Sequence, residues 1–122
     1  SEALTRFEAV HERFVNQATM LEVDASGRVA PAASPPEGRA GLREVRRLEV
    51  LAYHVADERL VMAHVPFWFF TLKRPAVQFA VRGTGLDLDE LQLTAENLSR
   101  HGPGLILDRT LPNGDRILVW AE

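Results

Sequence analysis

The stretch "RLEVLAYHVADERLVMAHV", Arg47 to Val65, decides the fold because two runs of β-forming residues flank the polar segment "ADER". The pattern predicts a β-hairpin with a two- or four-residue turn centred on Asp57 and Glu58, which sets His54 opposite Val61. Alternation along the strands then divides the side chains between two faces. One face holds Val50, Ala52, His54, Val61, Ala63 and Val65, and the other holds Leu51, Tyr53, Val55, Leu60, Met62 and His64. Both faces are largely apolar, so we expect the hairpin to be covered on both sides.

Four consecutive aromatic residues follow this hairpin, in "HVPFWFFTLKRP", His64 to Pro75. In a helix their rings would spread around the circumference, and in a strand they would alternate between two faces. Each ring can bury roughly 150–250 Å², and a soluble monomer rarely exposes an apolar patch of more than a few hundred Å². We therefore expect most of this surface to be covered, by the protein's own core, by a second copy of the chain or by a ligand.

The N-terminal third predicts a helix, a small hairpin and a loop. Apolar residues recur at helical spacing, which predicts a helix from Leu4 to Val15. The residues of this stripe are Leu4, Phe7, Val10 and Phe14. The turn signal "DASG", Asp24 to Gly27, lies between two short apolar runs and favours a hairpin. The segment "APAASPPEGRAG", Ala30 to Gly41, is rich in proline, glycine and small residues, as is typical of a loop.

The C-terminal part predicts a strand, short helices and a further hairpin. The segment "PAVQFAVRG", Pro75 to Gly83, has the composition of a strand. In "TAENLSRHG" an N-cap threonine and a first-turn glutamate precede basic residues and a stopping glycine, which predicts a helix after Thr94. The acidic stretch "LDLDEL", Leu86 to Leu91, suits the first turn of another helix. Asn113-Gly114 between two apolar runs is the strongest hairpin signal in the chain.

Together these elements predict one α+β domain with a mostly antiparallel sheet of about five strands, built from two hairpins. An N-terminal helix and one or two short helices complete it. A chain of 122 residues suits a single domain that buries a sizeable core without disulfides. Residues 1–41 would form a helix and a loop packed on a β-rich module of residues 42–122.

Composition argues against several classes of function. The absence of cysteine excludes disulfides, thiolate metal sites and cysteine nucleophiles. The formal net charge of -3 argues against general nucleic-acid binding. The longest apolar run, Leu60 to Phe70, is too short and too interrupted for a membrane span. The sequence does not open with a secretory signal, so we expect a cytoplasmic protein.

Clusters of ionisable residues are few, and each favours a structural interpretation. Glu8, His11 and Glu12 share one face of the predicted helix, where a metal could bind but a solvated surface is commoner. His54 and His64 lie on opposite faces of the hairpin, which disfavours a shared metal, although a three-residue turn would reverse that parity. The carboxylates of "LDLDEL" could bind a divalent cation or act in acid–base chemistry, but they suit a helix start better.

One basic run could meet an anion. Its members are Arg39, Arg43, Arg46 and Arg47. If residues 42–47 are helical, the last three of these arginines line one side of the helix and could contact a phosphate or a nucleic acid. The alternative is a solvated face with Glu44 alongside.

The sequence offers no convergent catalytic set, and we predict no catalytic residue, no metal and no cofactor. The two-sided aromatic segment favours a small non-enzymatic module that acts through protein association, most simply as a homodimer. The alternative is a small-molecule-binding protein or an enzyme with an aromatic-lined pocket near residues 64–74. The candidate interface or ligand-binding residues are Tyr53, His64, Phe67, Trp68, Phe69, Phe70 and Arg74.

Overall fold

A computed structural model of the protein describes residues 2–15, 17–31, 44–72 and 78–122. The described residues include three α-helices, which we call α1 (Glu2–Arg13), α2 (Leu88–Leu91) and α3 (Ala95–His101), and a 3₁₀ helix at Phe67–Thr71. The strands are β1 (Leu21–Val23), β2 (Val29–Pro31), β3 (Arg47–His54), β4 (Arg59–Pro66), β5 (Gly104–Thr110) and β6 (Arg116–Ala121). They form a two-stranded and a four-stranded antiparallel sheet. The prediction of a small α+β domain with an N-terminal helix and short helices is confirmed.

The hairpin that opens the main sheet forms as β3 and β4, but its register differs from the prediction. His54 pairs with Arg59 rather than with Val61, and the turn takes up residues 55–58. The backbone N–H of Val55 donates to Asp115 Oδ1 at 2.8 Å, which ties the start of this turn to the β5–β6 turn. Because the register shifts by two residues, the side chains of both strands keep their predicted faces.

The main sheet has the strand order β4-β3-β6-β5. Its central strand β3 is buried on both faces, as its apolar sequence predicts, since Val50 and Leu51 point in opposite directions and are both almost fully buried. One face carries the main core, which joins the sheet to β1, α2 and α3 through Leu21, Leu88 and Leu98. The other face packs under α1. We call this second cluster the α1-side core: Phe7, Leu51, Leu105, Leu118 and Trp120.

Local capping fixes the two short helices as the sequence predicts. The Asp87 carboxylate accepts hydrogen bonds from the first-turn backbone of α2, so the acidic stretch is a helix start. Thr94 Oγ1 accepts from the backbone N–H of Asn97 at 3.1 Å at the start of α3. Gly102 ends α3 with a φ of 80°, in the range that glycine tolerates best.

One prediction of an element is wrong, and one arrangement that was considered as a condition does not form among the described residues. The strand predicted at 75–83 is not formed in its described part, because residues 78–80 are helical and residues 81–85 form turns. Thr84 stabilises this turn, since its hydroxyl donates to Val81 O at 2.6 Å and accepts from the backbone N–H of Leu86 at 3.1 Å. The helix considered for residues 42–47 is also absent from their described part, where 44–46 are irregular and β3 begins at Arg47. The boundary proposed between residues 41 and 42 lies outside the described residues.

Candidate functional sites

The aromatic segment forms a 3₁₀ helix, which the sequence did not suggest. With three residues per turn, residues i and i+3 lie on the same side. Phe67 and Phe70 accordingly have ring centroids 6.5 Å apart, and these two rings and that of Phe69 are half-buried against the main core. Trp68 is different: its ring lies 4.5 Å from that of Phe69, but the residue is 59% exposed. Leu72 is 44% exposed as well, so part of the segment remains open in the described structure.

The predicted site residues do not converge on one place. Tyr53 packs beside the α1-side core, and His64 lies exposed on the same face of the hairpin. The rings of Phe67 and Phe69 pack instead against the main core, on the opposite face of the sheet. Arg74 lies outside the described residues. The aromatic pocket near residues 64–74 therefore stays a prediction.

The outer edge of β4 is the first surface of interest. The backbone N–H of Phe67 donates to Arg46 O at 2.8 Å, which continues the β3–β4 ladder and fixes its phase. Backbone groups alternate in direction along an antiparallel strand, so those of Leu60, Met62 and His64 point away from the sheet. Residues 60–65 contain no Asp, Glu, Lys, Arg or Pro, and their pairing with β3 has no bulge. Met62 is also 54% exposed.

The opposite edge of the sheet, at β5, is built differently. A bulge interrupts its pairing with β6 between Leu105 and Leu107. The backbone N–H of Met20 donates to Leu105 O at 3.2 Å and covers part of this edge. The strand also carries the charged residues Asp108 and Arg109. Bulges, covering segments and charges are the usual protections of edge strands, and β5 has all three.

A polar cluster fastens α1 to the sheet. His11 Nε2 lies 2.9 Å from Asp108 Oδ2 and 2.8 Å from Arg116 Nη2. The Arg116 guanidinium lies 4.7 Å from the centre of the Phe7 ring, which is itself almost fully buried. His11 therefore faces β5 and β6 rather than forming a solvated surface with Glu8. Within the described parts of the chain, His, Asp and Glu residues form no group of three that could hold a metal.

A groove of about 660 Å³ is the second surface of interest. It lies where the end of α1 meets the first residues of β3 and β5 and the last of β6, and we call it the arginine groove. Its described lining includes three arginines, two glutamates and one aromatic residue: Arg13, Arg46, Arg47, Glu44, Glu122 and Phe14. None of the predicted site residues lines it. Arg46 and Arg47 belong to the basic run that the sequence singled out.

Glu122 organises the charges of the arginine groove. Its carboxylate accepts hydrogen bonds from the guanidinium groups of Arg13 and Arg47 and, at 2.9 Å, from the indole N–H of Trp120. Partial burial of the Glu122 carboxyl by itself raises its pKa, but the bonds from Trp120, Arg13 and Arg47 outweigh this effect and lower the pKa from 4.5 to about 2. The same carboxylate, aided by Glu49, raises the pKa of Arg47 above its ordinary value. Glu122 is therefore ionised at neutral pH.

Sequence reasoning identified Arg46 and Arg47 as a basic run but missed Arg13, Glu122 and Trp120. Arg13 and Glu122 are separated by 109 positions, and no local pattern links them. Their meeting depends on the docking of α1 and on the pairing of residue 122 with the start of β3. In that pairing, the backbone N–H of Glu122 donates to Arg47 O at 3.0 Å.

Every helix in the described ranges is too short or too polar to cross a membrane. Searches against protein-family models, curated proteins and solved structures found no match to this chain.

Proposed function

We propose that this protein acts through self-association, in which two copies pair antiparallel along the outer edges of their β4 strands. The observation that carries the proposal is the edge at residues 60–65, between Arg59 and Pro66, which no strand of the described residues covers, set against the protected edge of β5 in the same sheet. Natural edge strands usually avoid this combination of length, regular pairing and apolar sequence unless another strand covers them. A second copy of β4 supplies such a strand.

The geometry of the pair follows from the direction of the backbone groups. A two-fold axis at Met62 sets this residue opposite its counterpart and sets Leu60 opposite His64 of the other copy. Each of these three pairs exchanges two backbone hydrogen bonds, giving roughly six bonds across the contact. The two main sheets then form one continuous sheet.

Hydrogen bonds alone do not make this dimer stable. Six bonds contribute on the order of 6 kcal/mol, whereas association costs about 4–15 kcal/mol in lost freedom of motion. Apolar contact must supply the difference, and the exposed side chain of Met62 lies at the centre of the contact. We therefore expect a dimer of moderate affinity, with a dissociation constant in the micromolar range.

Analytical ultracentrifugation over a range of protein concentrations tests the proposal. Wild-type protein should dimerise, and Met62→Pro should be monomeric, because proline removes an outward N–H while leaving the bonds between β4 and β3 intact. Met62→Val is the matched control: it keeps the backbone donor and should still dimerise. Met62→Lys, which places a charge at the same edge, should also be monomeric. This variant replaces Met62→Pro in the test if the proline variant misfolds.

Hydrogen exchange gives a second readout that is independent of the variants. The amides of Leu60, Met62 and His64 should become protected as the protein concentration rises. The amides of Val61, Ala63 and Val65, which bond to β3, should be protected at every concentration. A wild-type protein that stays monomeric to about 1 mM would contradict the proposal, as would Met62→Pro dimerising as well as wild type.

A further inference from the structure

The arginine groove carries an inference that is independent of self-association, because its lining shares no residue with the edge of β4. Its volume of about 660 Å³ falls within the range of roughly 300–1,000 Å³ that small-molecule sites occupy. The chain as a whole carries a formal net charge of -3, yet three arginines and two glutamates are among the residues that line this groove. Glu49 pairs with Arg47 beside the groove, so the groove concentrates arginines whose charges are largely matched by carboxylates.

The three arginines have different partners. Arg13 and Arg47 bind the Glu122 carboxylate, and Arg47 Nε also donates to Glu49 Oε1 at 2.7 Å. No ion pair or side-chain hydrogen bond links Arg46 to another described residue. Its backbone is fixed, because its N–H donates to Glu122 O and its carbonyl accepts from Phe67. Arg46 therefore combines a fixed backbone with a guanidinium group that forms no ion pair with another described residue.

The rest of the described lining is mostly apolar, with Gln17 as its polar member. The Arg13 guanidinium lies 5.4 Å from the centre of the Phe14 ring and 6.0 Å from that of Trp120. Pro103, Gly104 and Ala121 line the groove as well. A ligand that fits these walls combines one anionic group with a flat apolar body. Guanidinium groups bind carboxylate and phosphate oxygens in the same forked geometry, so these two anions share the required chemistry.

We propose that the arginine groove binds a small organic oxyanion, a carboxylate or a phosphate carried on a flat apolar body. Arg46 anchors the anion, and Arg13 and Arg47 are shared between the anion and Glu122. In the absence of ligand, the Glu122 carboxylate binds the guanidinium groups of Arg13 and Arg47. An incoming anion therefore competes with Glu122 for these two guanidinium groups. Removal of the Glu122 charge should therefore strengthen binding.

NMR titration of the ¹⁵N-labelled full chain tests the proposal with benzoate, phenyl phosphate and inorganic phosphate as probes. The chain has two tryptophans, and the indole N–H of Trp120 reports on the groove, since it donates to Glu122 Oε1 at 2.9 Å. The indole N–H of the exposed Trp68 is the internal control. We expect saturable shifts of the Trp120 indole and of the Arg46 and Arg47 amides, with a dissociation constant of about 1 mM for probes this small. Comparison of benzoate with phenyl phosphate shows which anion is preferred, and inorganic phosphate shows whether the apolar body contributes.

A neutral probe and four protein variants test whether binding depends on the anion and on Arg46. Benzyl alcohol, which has the ring without the charge, should not saturate the same shifts. Arg46→Gln should weaken binding about tenfold, Arg46→Lys should retain part of it, and Arg28→Gln, at an exposed arginine outside the groove, should leave it unchanged. Glu122→Gln should tighten binding severalfold.

Four outcomes would overturn the proposal. They are no saturable shift with either organic anion, equal binding of benzyl alcohol, equal losses in Arg46→Gln and Arg28→Gln, and a Glu122→Gln variant that binds no more tightly than wild type.

Discussion

Replacement of Glu122 by glutamine tests the electrostatics of the arginine groove most directly. Glutamine keeps the size of the side chain and still accepts a hydrogen bond from the indole of Trp120, but it removes the charge that pairs with Arg13 and Arg47. Because the pKa of Glu122 is lower in the folded protein than in the unfolded chain, the ionised carboxylate stabilises the fold. This contribution is fully present above about pH 4.5 and is lost as the pH falls from there through about 2.

The magnitude follows from the pKa and the exposure of the groups. A pKa moved from 4.5 to about 2 corresponds to at most about 3 kcal/mol of free energy of unfolding. The Glu122 side chain is 20% exposed, but those of Arg13 and Arg47 are 51% and 46% exposed, so solvent screens part of the interaction. We therefore expect Glu122→Gln to destabilise the protein by about 1–2 kcal/mol at pH 7.

Urea unfolding of both proteins between pH 7 and pH 2 measures this difference. The gap in free energy of unfolding should shrink as the pH falls below 4.5 and should approach zero near pH 2. Glu96→Gln is the matched control, because Glu96 is 83% exposed and pairs with Arg100 one turn along α3. Its effect should stay below about 0.5 kcal/mol. A gap that is constant from pH 7 to pH 2, or no larger than that of the control, would refute the assigned role of the carboxylate.

Three further substitutions test the packing and the turns. Phe7→Ala should cost about 3–5 kcal/mol in urea unfolding because it leaves a cavity between α1 and the sheet, whereas Leu4→Ala, at a half-exposed position near the start of α1, should cost less than about 1 kcal/mol. Similar losses would contradict the α1-side core. Gly114→Ala should lower the free energy of unfolding by about 1–2 kcal/mol, because φ of residue 114 is +96° and the added Cβ would lie 3.1 Å from Val55 Cγ2. An unchanged melting temperature would contradict this turn geometry. Thr94→Ala should cost about 1 kcal/mol through loss of the α3 N-cap, and Thr94→Asn, which can still cap the helix, should restore most of it.

Elements governed by local chemistry were predictable from the sequence. The turn at Asn113-Gly114 joins β5 to β6, and the turn after Val23 joins β1 to β2, because turn residues restrict the backbone whatever surrounds them. The caps at Asp87 and Thr94 formed for the same reason. Faces of β3 and β4 were also predictable, since alternation survives a register shift of two residues.

Features decided by distant residues were not predictable. The β3–β4 turn is joined to the rest of the sheet by the bond from Val55 to Asp115, 60 positions away, which no local pattern indicates. The aromatic segment satisfied neither the helical nor the extended expectation, because a 3₁₀ helix gathers Phe67 and Phe70 on one side and leaves Trp68 exposed. The sequence indicated only part of the arginine groove, the basic run near Arg46. The other lining residues, such as Arg13 and Glu122, come close to this run only in the tertiary structure.

The docking of α1 has a consequence for the groove that its end helps to form. Among the five buried residues of the α1-side core, Phe7 is the one that α1 contributes, while Arg13 and Phe14 at the end of the helix line the groove. Phe7, the polar contacts of His11 and the ion pair of Arg13 hold α1 on the sheet, and a terminal helix of this kind can open locally while the sheet remains folded. Whenever α1 lifts away, the groove loses a wall and Glu122 loses Arg13. Binding of the proposed anion through Arg13 and docking of the helix are therefore thermodynamically linked, and each favours the other.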